Sequence, residues 1–280
     1  LQKTVYKLLD SIQDDIAEQV SDYEEDSDDY SKIQIELRKI KSEIKLPDSE
    51  NQTKILIQEF VKQASYVLLT KLILIRILED NDLIEKNLYN GGFKKLTEPP
   101  FNYTLFKILD QAKLEGKHFY PYFFATTAYD FDPSKNDIFL HALYELSNFN
   151  FAEVNFDLIG DLYEHYLNLD DRKEKGQYYT PHYIVEFILN RVGFTGKYKG
   201  DIDSRTLWDP ASGSGGFIVE AARRLRVAGI NNPSDAKKAI VNNIYATELT
   251  AFASFLCELN TVIQILPLVK SLTERKNQKI

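Results

Sequence analysis

The sequence predicts an α/β protein in two parts: a mainly helical N-terminal domain over residues 1–170 and, over 171–280, the opening part of a doubly wound parallel α/β domain. Three observations predict it. Apolar residues recur at helical spacing through most of the first 170 residues. After about residue 171 the pattern becomes helix, strand, helix, strand, helix, the rhythm of a parallel sheet. The first of those strands runs into the glycine-rich stretch "WDPASGSGGF" at 208–217, and such a loop brings backbone close to a ligand.

Each element follows from local pattern. Residues 1–20 place Val5, Leu8, Leu9, Ile12 and Ile16 on one side of a helix. The acidic run "SDYEEDSDDY" at 21–30 reads as a solvated loop or helix end; nothing in it fixes a metal-ligand geometry. Residues 31–46 are helical again, so Glu43 and Lys45, although spaced as in a nuclease strand, lack that strand. Residues 52–80 form the longest apolar-periodic segment, with Leu83 and Ile84 continuing its pattern. "NGGF" at 90–93 and "EPPF" at 98–101 break the chain, and helices are expected over 104–114, 136–147 and 154–168. The connector "HFYPYFFATTAYDFDP" at 118–133 carries aromatics that could stack on bases but more commonly pack a core. Beyond it, 180–192 is a helix with Thr180 as N-cap and Pro181 at its first position. Residues 204–209 are a strand, 216–229 a helix closed by Gly229, 235–243 a helix, 243–249 a strand ending in an acid, and 250–272 a long helix.

Bulk properties narrow the function. The chain has 280 residues, 44% of them apolar, as in a globular protein. The formal charge of −8 means that a nucleic-acid role needs a local basic patch or a basic part elsewhere. Cys257 is the single cysteine, so there is no disulfide framework or CxxC metal site, and His118, His141, His165 and His182 show no metal-ligand spacing. A reducing, cytoplasmic setting fits. No signal peptide is visible, and the most apolar run, 66–78, is interrupted by Lys71 and Arg76 and is too short to cross a bilayer. The chain starts at Leu1 and contains no methionine, as expected of an internal fragment or of a sequence with residues missing.

Three ligand classes compete for the glycine loop. A nucleoside triphosphate requires GxxxxGK[ST], and no lysine is in place. A dinucleotide requires GxGxxG; Gly213 and Gly215 match, but Ile218 stands at the third position, and Glu248 lies well beyond the ~20-residue offset of the ribose acid. S-adenosylmethionine, without phosphate, fits better. Asp209 at the strand end suits its cationic methionine moiety, glycines 213, 215 and 216 allow close backbone approach, and Glu248 offers two oxygens to two ribose hydroxyls.

These motifs resemble the adenine-N6 DNA methyltransferase family, in particular type I modification subunits and the methylase part of fused restriction–modification enzymes. "DPASGSGGF" is similar to the family's motif I, with Ser212 where Cys is usual. "GQYYTP" at 176–181 resembles motif X and "YATEL" at 245–249 resembles motif II, while "FDLIGDLYEHYL" at 156–167 and "ASYVLLTKLILIRILED" at 64–80 look like the family's helical regions. The resemblance implies a Rossmann-like S-adenosylmethionine-dependent methyltransferase domain. By the same resemblance Tyr179, Thr180 and Pro181 line the cofactor pocket, Asp209, Ala211, Gly213 and Gly215 border the methionine moiety, Glu248 takes the ribose and Leu249 packs beside the adenine. Implied partners are double-stranded DNA and a specificity or restriction subunit, with no membrane.

The family's catalytic Asn/Asp-Pro-Pro-Tyr/Phe does not occur after residue 248. "EPPF" begins with Glu, precedes motifs X and I and follows no apolar strand, so it reads as a turn. Truncation before the catalytic motif is therefore expected, with no catalytic residue in this chain and no methylation by it alone. The alternatives are a methyltransferase acting on RNA or on protein glutamine, and a non-catalytic module that recruits DNA or a partner subunit.

Overall fold

The structure is a computed structural model that describes residues 2–23, 27–43, 51–97, 103–153, 160, 180–195, 205–229 and 232–277. The chain divides into two compact units, Leu1–Val154 and Asn155–Ile280. The boundary expected at 170, the helix expected over 154–168 and the "EPPF" turn at 98–101 lie outside the described residues, Gly160 apart.

The first unit is helical: α1 (Gln2–Ser21), α2 (Asp28–Glu43), α3 (Gln52–Asp80), a 3-10 turn (Tyr89–Gly92), α4 (Phe93–Thr97), α5 (Leu105–Phe119), α6 (Asn136–Ser147) and a second 3-10 turn (Phe151–Glu153). Helix α3 is its axis, with α1, α2 and α5 packed on it. From Gln63 to Glu79 every residue of α3 is buried, as expected of a helix that is apolar nearly all round. The two cations inside it are neutralised: Lys71 by Asp130, and Arg76 by Glu79 at 2.9 Å and Asp80 at 2.8 Å. The Arg76 guanidinium also lies over the rings of Tyr89 and Phe151.

The apolar pattern at Leu83 and Ile84 does not extend α3. Asn81 caps it, Asp82 turns into the left-handed region at φ 56°, and Leu83 N–H bonds back to Leu78 O at 2.9 Å. The aromatic connector packs: Phe123, Phe124 and Phe131 are buried and Tyr129 stacks on Phe60 at 5.1 Å. Glu43 ends a helix, so it sits in no nuclease strand.

The second unit comprises α7 (His182–Arg191), β1 (Leu207–Asp209), α8 (Gly216–Ala228), α9 (Pro233–Asn243), β2 (Ile244–Ala246) and α10 (Ala251–Asn277). Strands β1 and β2 pair in parallel, with Trp208 beside Tyr245 and Asp209 beside Ala246. One sheet face meets a core of Val185, Leu189, Ala221, Leu225, Ile240 and Leu268, against which Leu207 and Ile244 pack. Trp208 and Tyr245 alternate to the opposite face and are exposed. The described residues are thus mostly helical with a small parallel sheet. α10 contains a segment, Ala251–Ser271, long and apolar enough to cross a membrane. It packs against α8 and α9, and Ala253, Leu256, Leu259, Leu266 and Leu268 are buried, as in a core helix.

Pro181, not Thr180, stands at the N-cap of α7. Its ψ of 140° is extended, so the helix starts one residue later, and its carbonyl accepts from Ile184 and Val185. α7 is then fastened to α8 by Arg224, which is almost fully buried. That guanidinium donates to Glu220 at 2.7 Å, to Asn190 Oδ1 and Phe194 O at 2.8 Å, and to Glu186 O at 3.3 Å. Burial pushes the Glu220 carboxyl up, but hydrogen bonds from Arg223 and Arg224 outweigh it and hold it below the usual carboxylate range. A carboxyl held low stabilises the fold above its unfolded value and loses that contribution as pH falls through its folded value. Replacing Arg224 by Leu leaves Glu220 buried with one guanidinium partner, Arg223, and four hydrogen bonds unmade. It is expected to cost about 3 kcal/mol, read as a lower urea midpoint, with part of the acid sensitivity of wild-type stability removed.

Candidate functional site

The site forms because two parallel strands end side by side. Beyond β1 and β2 the pairing continues: Thr247 N–H donates to Asp209 O at 2.9 Å and Ser212 N–H to Thr247 O at 3.1 Å. The Thr247 hydroxyl adds a bond to Pro210 O at 3.0 Å. The loop after β1 is thereby laid across the tip of β2. Gly215 has φ 100° and caps α8. A Cβ there would meet Cys257 Sγ at 2.8 Å, so both conformation and space require glycine. Gly213, at φ 54°, has nothing within 4 Å of where a Cβ would stand and lies open to a ligand. Asn260, buried on α10, donates to Ser214 O at 2.9 Å and holds the loop from below.

Two carboxylates flank this loop. Asp209 accepts from Ala211 N–H at 3.1 Å. Burial pushes its carboxyl above the ordinary value; the Ala211 bond opposes this, and the neighbouring Glu248 charge adds to it. A cation beside it would favour the ionised form. Glu248 accepts from Gly213 N–H at 2.8 Å on Oε2, and from Thr250 N–H at 3.0 Å and Thr250 Oγ1 at 3.2 Å on Oε1. Beneath it is a cavity of about 280 Å³ between β2 and one face of α10, lined among others by Ser212, Ile218, Glu248, Cys257 and Glu258. The Ser212 Oγ lies buried in this region without a hydrogen-bond partner.

The structure thus gathers Asp209, Ala211, Gly213, Gly215 and Glu248 at one corner. Leu249 stands there too, but 94% exposed and packed on nothing. Tyr179 lies outside the described residues. Thr180 and Pro181 precede His182, whose Nε2 is 3.4 Å from Glu220 Oε2, so the start of α7 abuts the second turn of α8. His182, Glu186 and Glu220 come within 4.8 Å of one another, a grouping that their sequence spacing did not suggest. Both Glu220 oxygens are held by Arg223 and Arg224, and those two positive charges oppose a metal ion. Sequence reading named Ser212 only as the replacement for a usual Cys, and it missed Thr250 and Asn260. Only Thr250 carried a local signal, a hydroxyl residue at the start of an apolar helix.

These groups could hold S-adenosylmethionine in the following way. Asp209 opposes its positive charge, the open face at Gly213 admits its backbone-like methionine portion, and Glu248 retains an acceptor position for a hydroxyl.

Residues 154–267 match the family model described as N-6 DNA Methylase. The match opens where the second compact unit does. The "Type I restriction enzyme MjaIX methylase subunit" of Methanocaldococcus jannaschii is 28% identical over 126 residues, which are 41% of this chain and 20% of that protein. The "Type I restriction enzyme HindI methylase subunit" of Haemophilus influenzae is 36% identical over 83 residues, 28% of this chain and 17% of that protein. The "Adenine-specific methyltransferase PglX" of Streptomyces coelicolor is 31% identical over 100 residues, 34% of this chain and 8% of that protein. The chain thus spans a fifth or less of the length of these relatives. No solved structure is significantly similar to it. Residues 154–267 are thus similar to the N-6 DNA methylase family.

A raised carboxyl opposes folding once ionised: its contribution to stability falls as pH rises from the unfolded value through the folded one. Asp209→Asn is therefore expected to raise the thermal midpoint slightly at pH 7, by about 1–3 °C, while weakening a cationic ligand. Scanning calorimetry of the two proteins across pH 4–8 checks this: the gap should widen as pH rises.

Proposed function

We propose that this chain carries the cofactor-binding part of an S-adenosylmethionine-dependent adenine-N6 DNA methyltransferase of a restriction–modification system, working in the cytoplasm. The observation that carries the reading is the pair of carboxylates, Asp209 and Glu248, at the ends of adjacent parallel strands on either side of a glycine loop. The family match over the same residues supports it. A Rossmann-like fold is part of the proposal: a parallel sheet buries both faces, and the apolar outer face at Trp208 and Tyr245 suits a second helical layer.

S-adenosylmethionine supplies the methyl group. Asp209 holds the positively charged end, Gly213 lets the backbone approach, Glu248 accepts from the ribose, and Thr180 and Pro181, anchored through α7, wall the pocket. Leu249, exposed on the lip, offers an apolar surface to the base. Catalysis of this type is mainly positioning and electrostatics. Its target-amino contacts come from the family tetrapeptide, which these residues do not include after Glu248. The proposal for this chain is accordingly cofactor binding without methyl transfer on its own. DNA and a specificity or restriction subunit are the proposed partners, in keeping with relatives named as type I methylase subunits.

Titration calorimetry with S-adenosylmethionine tests the reading. Binding is expected, weakened about tenfold or more by Glu248→Ala, which removes a charged acceptor. Incubation with DNA and methyl-labelled cofactor should give no label in the DNA. Absence of binding to folded protein contradicts the first part, and labelled DNA contradicts the second.

A further inference from the structure

Two consecutive turns of α10 meet the glycine loop from below. Cys257 lies against Gly215: a Cβ on that glycine would stand 2.8 Å from Cys257 Sγ and 3.2 Å from Cys257 Cα. The bare glycine therefore lets the loop rest on the helix backbone itself. One turn further along α10, Asn260 is 3% exposed and donates its side-chain amide to Ser214 O at 2.9 Å. A carbonyl only accepts, so the NH2 end of that amide is the end that faces the loop. The N–H of the same peptide group is held as well, because Gly215 N–H donates to Ser212 O at 2.8 Å. Both polar atoms of the Ser214–Gly215 peptide are thus engaged, in one orientation. Glycine allows a second: Gly215 has φ 100° here, and without a Cβ it takes negative φ about as readily. Turning this peptide over would break both bonds and aim the Ser214 carbonyl away from α10, towards the open side of the loop.

We propose that Asn260 is a positioning residue for cofactor binding: its amide locks the Ser214–Gly215 peptide in one of the two orientations and so holds the glycine loop in the form that binds. The inference rests on the cofactor reading above. Asn260 acts through that peptide and not by touching the ligand. The affinity of a site scales with the fraction of molecules in the competent form. While Asn260 donates, that fraction is near one. Without the donor, the Ser214 carbonyl is left buried and unmatched in the seated orientation only, since the turned orientation gives it to solvent. Loss of the amide therefore shifts the loop and lowers affinity in protein that is still folded. A residue that served packing alone would lower stability and leave the affinity of the folded molecules unchanged.

The test measures S-adenosylmethionine binding by titration calorimetry to the full chain, to Asn260→Asp and to Asn260→Ala, between about pH 5 and about pH 8. Aspartate has the shape of asparagine but donates only when protonated. Burial against a carbonyl raises such a carboxyl, so its donating form persists above the ordinary carboxylate range. Asp209, Glu248, Glu258, Cys257 and Arg226, the ionisable side chains of this region, are common to all three proteins. The ratio of each variant's affinity to that of the wild type removes their titration. Asn260→Ala should bind about fivefold more weakly across the range, the worth of one neutral hydrogen bond. Asn260→Asp should bind within about twofold of the wild type at the acid end and about tenfold more weakly at the alkaline end, where carboxylate and carbonyl repel. A ratio for Asn260→Asp that does not change with pH, or wild-type affinity in folded Asn260→Ala, overturns the assignment and leaves the cofactor reading intact. Loss of the fold in both variants, seen by circular dichroism, also overturns it, because the residue then serves stability. Failure of the folded wild type to bind overturns the cofactor reading and this assignment together.

Discussion

The carboxylate of Glu248 joins the tip of β2 to the glycine loop that follows β1, and the geometry of the site depends on that join. Without it, Gly213 has only its flanking backbone to hold it, because its own conformation, at φ 54°, has no side chain to pack. With it, the loop is clasped at three points: Ser212 N–H on Thr247 O, Gly213 N–H on Glu248, and Ser214 O on Asn260. In the proposed function the same group serves structure and recognition: one charge stiffens the loop and takes part in binding, which is the kind of preorganisation a binding site needs.

A second fastening brings α7 to this corner. Arg224 is nearly buried yet well matched, donating to a carboxylate, an amide oxygen and two carbonyls. A buried guanidinium is tolerable only when its donors are matched in this way. Its effect is positional: α7 is tied to α8, so the residues just before His182 lie near the second turn of the helix that the glycine loop begins. The two carboxyls of the region respond in opposite directions. Glu220 is held low by two guanidiniums and contributes to the fold, whereas Asp209 is pushed up by burial and by Glu248. A cation beside Asp209 would offset that cost.

Much of this was legible in the sequence, for physical reasons that differ from element to element. The body of helix α3 was readable because a long apolar period dominates every competing signal. β1, the glycine loop and α8 were readable because glycine and the strand-to-helix change punctuate the chain. The corner residues Asp209 and Glu248 followed from their places at or just beyond strand ends, and Gly213 from its place in the glycine loop. What was not legible depends on partners far apart in sequence. The contacts of Arg224 with Asn190 and Phe194 and of Asn260 with Ser214 span 30 to 46 residues and leave no periodic trace. The start of α7 was misplaced by one residue because Pro181 takes an extended ψ. The pattern past Asp80 was misread because Leu83 closes the helix end instead of extending it.

The central claim is that the corner between β1 and β2 is where S-adenosylmethionine binds. Amide NMR of the chain during addition of S-adenosylmethionine tests it most directly, because each corner residue reports separately. The account predicts that the largest shifts fall on Ala211, Gly213, Gly215 and Thr250, with the helices of the first unit unchanged. Shifts concentrated in α1–α6, or none at saturating cofactor in folded protein, would contradict it.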